Sequence, residues 1–247
     1  MERIILIETS TALCSAALAE DGVIVAYRES SAPKAHASLT AVFIREMLSE
    51  RGLGVSDCNA VCVSMGPGSY TGLRVGVSTA KGLCFGAGIP LIAVGTLETL
   101  VAQAAGIPGQ AGNDGMDGST ADYKYIVPMI DARRMEVYTA VWKPECDTAS
   151  ADSWKQITET APMIIEENSF ADILADGPVL FIGDGAGKCA DVLKHPNAHF
   201  LQCHPKASSM LAPAVRTYKE KRFEDVAYFE PFYLKEFVAT VSKKKLF

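Results

Sequence analysis

The strongest candidate for chemistry in this sequence is a glycine turn. Residues 66–76 read Gly-Pro-Gly-Ser-Tyr-Thr-Gly-Leu-Arg-Val-Gly, directly after the apolar run 60–65. Glycines between a strand and a helix leave backbone N–H groups bare at the helix start, where they and the helix dipole can hold an anion. Ser69 or Thr71 suits the N-cap of the next helix. This is not a Walker A loop, because Gly72 is followed by Leu73-Arg74 rather than by Lys and then Ser or Thr. Within the helix, Gly72, Gly76 and Ala80 recur every four residues, and each glycine costs about 1 kcal/mol of helix propensity. Such a stripe lets another element approach closely, which leaves two readings: packing inside the chain, or a surface for a partner. Phosphate binding ranks below both.

Other constellations are weaker. Gly183-Asp184-Gly185-Ala186-Gly187-Lys188 comes after an apolar strand and opens a helix, as a phosphate turn would, but lacks the last spacing of GxGxxG. Glu8-Thr9-Ser10 ends the first strand, where a carboxylate either helps to hold Mg²⁺ or caps the adjoining turn. Glu8, Gly183, Asp184 and Gly185 are therefore the candidates for a residual nucleotide contact. Asp131-Ala132-Arg133 also sits at a strand end, either as a catalytic acid or as a turn-stabilising pair. His195 and His199 are four apart, but Pro196 breaks the helix that would aim both at one metal. No GxSxG elbow is present. No metal site and no catalytic residue is expected.

The elements that must position these residues alternate. Strands over 4–7, 15–20 and 23–27 form an antiparallel meander, with Asp21-Gly22 as its tight turn. Helical spacing of Leu39, Val42, Phe43, Met47 and Leu48 predicts a helix over 36–51. A strand at 60–65, a helix over 71–85, a strand at 91–94 and a helix over 96–105 come next. Residues 106–122 are polar and glycine-rich and mark the boundary between lobes 1–105 and 106–247. Beyond it come strands at 125–130, 136–142 and 179–182, a helix to about 193, and a last helix over about 207–222 that is expected to pack back on the first lobe. The order predicts an α/β protein of two lobes, each a mixed sheet with flanking helices.

Composition excludes some functions. At 247 residues and a net charge of −6, the chain is a poor freestanding nucleic-acid binder, and the short basic tail 243–245 does not change that. Any role on RNA is expected to come through a partner. Seven scattered cysteines without a CxxC pair speak against a disulfide framework and for a reducing compartment. No apolar stretch approaches the ~20 residues needed to span a bilayer, and the first residues are too short an apolar run for a secretory signal, so a cytoplasmic protein is expected.

Several of these stretches together resemble one family. The opening Ile-Leu-Ile-Glu8-Thr-Ser-Thr, the sequence His36-Ala-Ser38 before an amphipathic helix, the whole 66–76 turn, Ala80-Lys-Gly-Leu83, Ile130-Asp-Ala-Arg133, Gly183-Asp-Gly-Ala186 and Pro231-Phe-Tyr-Leu234 are similar, in order, to the motifs of the TsaB (YeaZ) family. That family is the dimerisation subunit of the bacterial machinery that makes N6-threonylcarbamoyladenosine at position 37 of tRNA. Glu8 stands where the family usually has Asp, and 106–122 fits none of its motifs.

The resemblance implies an actin/Hsp70/sugar-kinase-like (ASKHA) fold and a non-catalytic scaffold that supports the paralogous catalytic subunit TsaD. TsaD carries a metal-binding His-x-x-x-His whose positions here are Thr96 and Leu100, a poor ligand and a non-ligand. Implied partners are a TsaD-like subunit, a TsaE-like ATPase, a second copy of the chain when free, and tRNA only through the complex. No cofactor of the chain's own is implied beyond a residual ATP or ADP contact in the complex. The implied partner interface uses the helices after His36 and after the glycine turn, with His36, Leu39, Phe43, Gly72, Leu73, Gly76, Val77 and Ala80. On that reading Gly76→Leu breaks the complex while leaving the fold largely intact. The competing reading is an enzyme in its own right, an ASKHA ATPase or a glycoprotease-like hydrolase.

Overall fold

The computed structural model describes residues 1–105, 123–145 and 154–235. The expected linker at 106–122, Cys146 and the basic tail lie outside the described residues. Strand β1 (Arg3–Glu8) is rich in isoleucine and lies at the centre of the first sheet. Strand alternation sends Ile5 and Ile7 into one apolar cluster and Ile4 and Leu6 into the other. Each fully buried side chain of this size contributes roughly 1.5–3 kcal/mol. β2 (Cys14–Glu20) and β3 (Val23–Ser30) complete the meander. Asp21 and Gly22 both take positive φ at the turn, as a tight hairpin requires.

Helix α1 (Ala35–Ser49) covers one face and buries Phe43, Ile44, Met47 and Leu48. β4 (Ala60–Gly66) pairs parallel to β1. Helix α2 (Tyr70–Ala87) returns over the same face as α1 and stops at Gly88 in the left-handed conformation. β5 (Leu91–Gly95) and α3 (Thr96–Ala105) end the first lobe.

The second lobe repeats the plan. β6 (Tyr125–Asp131), β7 (Glu136–Thr139), β8 (Trp142–Pro144), β9 (Trp154–Gln156), β10 (Ala161–Ile164), α4 (Ala171–Asp176), β11 (Val179–Gly183), α5 (Ala186–Cys189) and β12 (Ala198–Gln202) come in that order. The first sheet runs β3-β2-β1-β4-β5 and the main path of the second β10-β7-β6-β11-β12. In each, the first strand is antiparallel to its hairpin partner and parallel to the strand after the first helix. β8 and β9 are an extra hairpin beside β6.

Three elements differ from the sequence expectation. The run 136–142 is broken, because the Val141 N–H turns to the Thr158 hydroxyl (2.8 Å) instead of the ladder. The helix expected to reach 193 ends at Cys189. The last helix is a 3-10 turn at Ala207–Met210 running into α6 (Leu211–Lys219). Met210, Leu211 and Ala214 pack with Ile4, Leu6, Ala60 and Ile92, which is the face of the first sheet opposite α1 and α2. Residues beyond α6 run back across both lobes. Glu224 N–H bonds Leu91 O (2.9 Å) on the β5 edge, Phe232 N–H bonds Met65 O (2.8 Å), and Lys235 pairs with Glu136.

Candidate functional site

The glycines of the 66–76 turn are explained by the groups that lie against them. A Cβ on Gly68 would stand 2.4 Å from the Ser10 carbonyl oxygen, one on Gly72 2.1 Å from the Thr9 carbonyl oxygen, and one on Gly76 2.2 Å from Thr9 Oγ1. The turn and the first two turns of α2 therefore close directly on the loop after β1. Ser69 spends its N–H on the Ser10 carbonyl (2.6 Å) and accepts the Gly72 N–H at its hydroxyl (3.3 Å), so it caps the helix as its type suggests. Two of the donors that could face an anion, the Ser69 and Gly72 N–H groups, are thus used inside the chain.

This geometry places the expected partner stripe inside the first lobe. Gly72, Leu73, Gly76, Val77 and Ala80 are buried, as is Phe43. Those on α2 pack on β1 and β4, Phe43 on α1 joins the same apolar cluster, and none of them offers a surface. The substitution Gly76→Leu is thus a test of the fold, not of an interface. His36 and Leu39 are half-buried, and His36 Nε2–H donates to the Thr11 carbonyl (2.8 Å).

Under the turn lies a buried polar cluster. Glu8 Oε1 accepts the Ser10 N–H (2.6 Å), while Glu8 Oε2 and the hydroxyls of Thr9, Ser10 and Thr11 have no hydrogen-bond partner among the described residues. Burial is the largest influence on Glu8 and pushes its carboxyl up to about 7, against the nearby polar groups of Ser10, Ser64 and Thr9, which hold it down.

The second glycine loop is filled in the same way. Gly187 N–H, which would point at a phosphate, donates to the Gln202 amide oxygen (2.6 Å), and Gln202 donates in turn to the Asp184 carbonyl (2.9 Å). Asp184 Oδ1 accepts the Asp131 N–H (2.9 Å). A Cβ on Gly183 would meet Met129 O at 2.3 Å and Leu100 Cδ1 at 3.0 Å. These residues do not fit a nucleotide phosphate. The candidates for a residual nucleotide contact, Glu8, Gly183, Asp184 and Gly185, are thus hemmed in by groups of the chain itself, and Leu100 of α3 lies against Gly183.

The positions of the paralogue's metal ligands lie on that wedge. Thr96 shares a hydrogen bond with Ser64 (2.8 Å), and Leu100 packs with Ile126, Ile130, Leu180 and Ile182 of the second lobe. A metal has nothing to bind there. Burial pushes the thiols of Cys58, Cys84 and Cys189 up to about 11, so they are inert packing groups. Among the described residues no cluster of three or more His, Cys, Asp or Glu could hold a metal ion.

The surface left over is the outward face of α1 and α2. Gly82 and Gly86 have open space where a Cβ would stand, Ser78 is exposed, and Phe85 is 85% exposed. Between the two helices a groove of about 360 Å³ is lined by Ile44, Arg45, Leu48, Leu53 and Leu83. Sequence reasoning missed this second small-residue row, which lies roughly a third of a turn around the helix from the row Gly72, Gly76 and Ala80. An exposed Phe85 between two glycines was its available signal. At Asp131-Ala132-Arg133 the carboxylate accepts the Arg133 backbone N–H (2.8 Å) and pairs with Lys188, so it stabilises the turn.

Known proteins resemble this chain over nearly its whole length. The family model described as "TsaD: tRNA N6-adenosine threonylcarbamoyltransferase" matches residues 28–243. The "tRNA threonylcarbamoyladenosine biosynthesis protein TsaB" of Escherichia coli K12 is 31% identical over 241 residues, covering 96% of each chain. Its namesake in Haemophilus influenzae is 30% identical over 243 residues, 97% of this chain and 95% of that one. Among solved structures, "YeaZ from Pseudomonas aeruginosa" superposes with a TM-score of 0.77 at 23% identity, over 95% of this chain and all of that one.

Proposed function

The chain belongs to the TsaB (YeaZ) family, and from that membership we propose that it is a non-catalytic scaffold in the transfer of a threonylcarbamoyl group to adenosine 37 of tRNA. It works by docking a TsaD-like catalytic subunit. The observation that carries this reading is the two-sidedness of α2. Its inner row of small residues is locked on Thr9 and Ser10, and its outer row at Ser78, Gly82 and Gly86 stands bare beside Phe85. A helix with a small residue at every fourth position accepts another helix closely, and an exposed aromatic beside it supplies an anchor. The sealed glycine loops and the apolar α3 wedge support a chain without nucleotide, metal or catalytic residue of its own.

In this reading the same face holds a second copy of the chain when the catalytic subunit is absent, and a TsaE-like ATPase joins the pair. tRNA is engaged within the complex, in the cytoplasm. No helix among the described residues is long and apolar enough to cross a membrane.

Co-purification with the TsaD-like subunit and a threonylcarbamoylation assay, with and without this chain, test the proposal. Gly82→Arg and Phe85→Glu alter side chains that face open solvent, so both variants should keep the parent melting temperature and lose the partner. Retained binding in both would remove this interface. The rival reading, a stand-alone ATPase, is checked by calorimetric titration with ATP and ADP. Micromolar binding by the isolated chain would restore it.

A further inference from the structure

The turn between β6 and β7 holds the most conspicuous backbone conformation that the scaffold role leaves unexplained. Arg133 and Arg134 have φ of 73° and 51°, two successive left-handed residues. Ala132 N–H bonds Glu136 O (3.0 Å) and Glu136 N–H bonds Arg133 O (3.1 Å), which closes the turn around them. Asn-Gly is the ordinary solution for such a pair of dihedrals, because a Cβ disfavours it. Here the chain places two of its longest cations there, and both are exposed. Strain held at an exposed turn points from conformation to function.

The charge arrangement says what that function serves. Lys188 is paired with Asp131 and Lys235 with Glu136, so the nearby lysines are neutralised locally. Arg133 and Arg134 form no ion pair among the described residues. In a chain of net charge −6, the surplus positive charge of this region sits on those two guanidinium groups. Tyr138, half-buried two residues after Glu136, lies with its ring centroid 5.8 Å from Lys235 Nζ. Planar forked donors without an ion-pair partner of their own suit phosphate oxygens, which they can hold in pairs. An acidic protein surface could use the same charges, and a polyglutamate peptide in the test separates it from RNA.

We propose that Arg133 and Arg134 form a contact for the phosphate backbone of RNA. This deepens the proposed function and rests on it, since it makes the chain a direct if minor holder of the tRNA that the complex modifies. The site lies on the second lobe, while the proposed docking face is on α1 and α2 of the first. Two arginines are too few for a freestanding RNA binder, which agrees with the acidic chain as a whole.

The test titrates fluorescein-labelled tRNA anticodon stem-loop RNA with the full chain at low salt, alone and together with the catalytic subunit. R133A/R134A should weaken binding by about fivefold or more and lower the slope of log affinity against log salt by about 1–2. R133K/R134K should keep most of the slope, because charge is retained without the forked geometry. R133N/R134G should bind RNA as poorly as R133A/R134A while melting higher than the parent, which separates the loss from unfolding. Unchanged affinity and slope in R133A/R134A, no RNA binding by the parent chain in either setting, or arginine-dependent binding of a polyglutamate peptide but not of RNA, each overturns the proposal. Co-purification of R133A/R134A with the catalytic subunit should match the parent. Failure of the parent to co-purify would instead remove the docking reading, and the titration of the isolated chain would still decide this one.

Discussion

At the scale of single residues, the close approach of Thr9 to the glycines of α2 makes a graded prediction. Gly76→Ala meets a hydroxyl, and overpacking of that kind costs about 1–3 kcal/mol. Gly72→Ala meets the Thr9 carbonyl oxygen, which no rotamer can move, and should destabilise more. Thr9→Ala should rescue Gly76→Ala but not Gly72→Ala, as read by urea midpoints of the single and double variants. Glu8 supplies a second prediction. Its carboxyl stands near 7 in the folded chain against 4.5 as a free group, so between those values the folded state holds a proton that the unfolded state releases. Stability therefore falls as pH rises from about 4.5 to about 7 and stays lower above. The full effect is roughly 3 kcal/mol. Glu8→Gln keeps the acceptor for Ser10 N–H and should flatten that slope, leaving the variant more stable than the parent at about pH 8 and little changed at about pH 5. Parallel pH profiles of the two proteins would contradict a buried, proton-holding Glu8.

At the scale of elements, α3 decides what the molecule is not. In sequence it is an ordinary amphipathic helix, and its span was legible from apolar spacing alone. Its consequence was not, because Leu100 touches Gly183, far along the chain and in the other lobe. The contact fills the place between the glycine loops with hydrocarbon. Leu100→Ala should open a cavity there at a cost of about 2–5 kcal/mol, a typical range for buried leucine, and lower the melting temperature without creating ATP binding. A nucleotide-dependent rise in the melting temperature of that variant would show that one side chain had been closing a working site. α2 teaches the same lesson from its two faces. The row Gly72, Gly76, Ala80 and the row Ser78, Gly82, Gly86 look alike as spacings, and only the neighbouring β1 loop distinguishes them.

At the scale of the whole molecule, one sheet plan occurs twice, and the junction between the copies is packed rather than open. α3 packs on the second sheet, Gln103 holds the His204 carbonyl and the Lys206 N–H, and the segment after α6 ties β5 to the β6–β7 turn. A body joined at these places transmits position well and hinges poorly, which suits a scaffold. In a reconstituted assembly, omission of the chain should abolish threonylcarbamoylation while saturating ATP leaves the isolated chain inactive. Full transfer without it would leave the scaffold role without support.

Sequence alone was enough for the elements whose signals are local. The Asp21-Gly22 hairpin, the α1 periodicity, the glycine stops and the α3 span arise from side-chain spacing and backbone preference, which act within a few residues. The family motifs also carried the fold and the kinship. The short strands β9, β10 and β12 and the helix α4 carried too little periodicity to be seen, and they form because the second sheet supplies partners. Tertiary structure decided which glycine row is buried, that Gln202 occupies the anion cradle, and that Leu100 seals the junction. Those outcomes depend on contacts between segments far apart in the chain, where spacing is silent and only the packed neighbour tells a surface from a core.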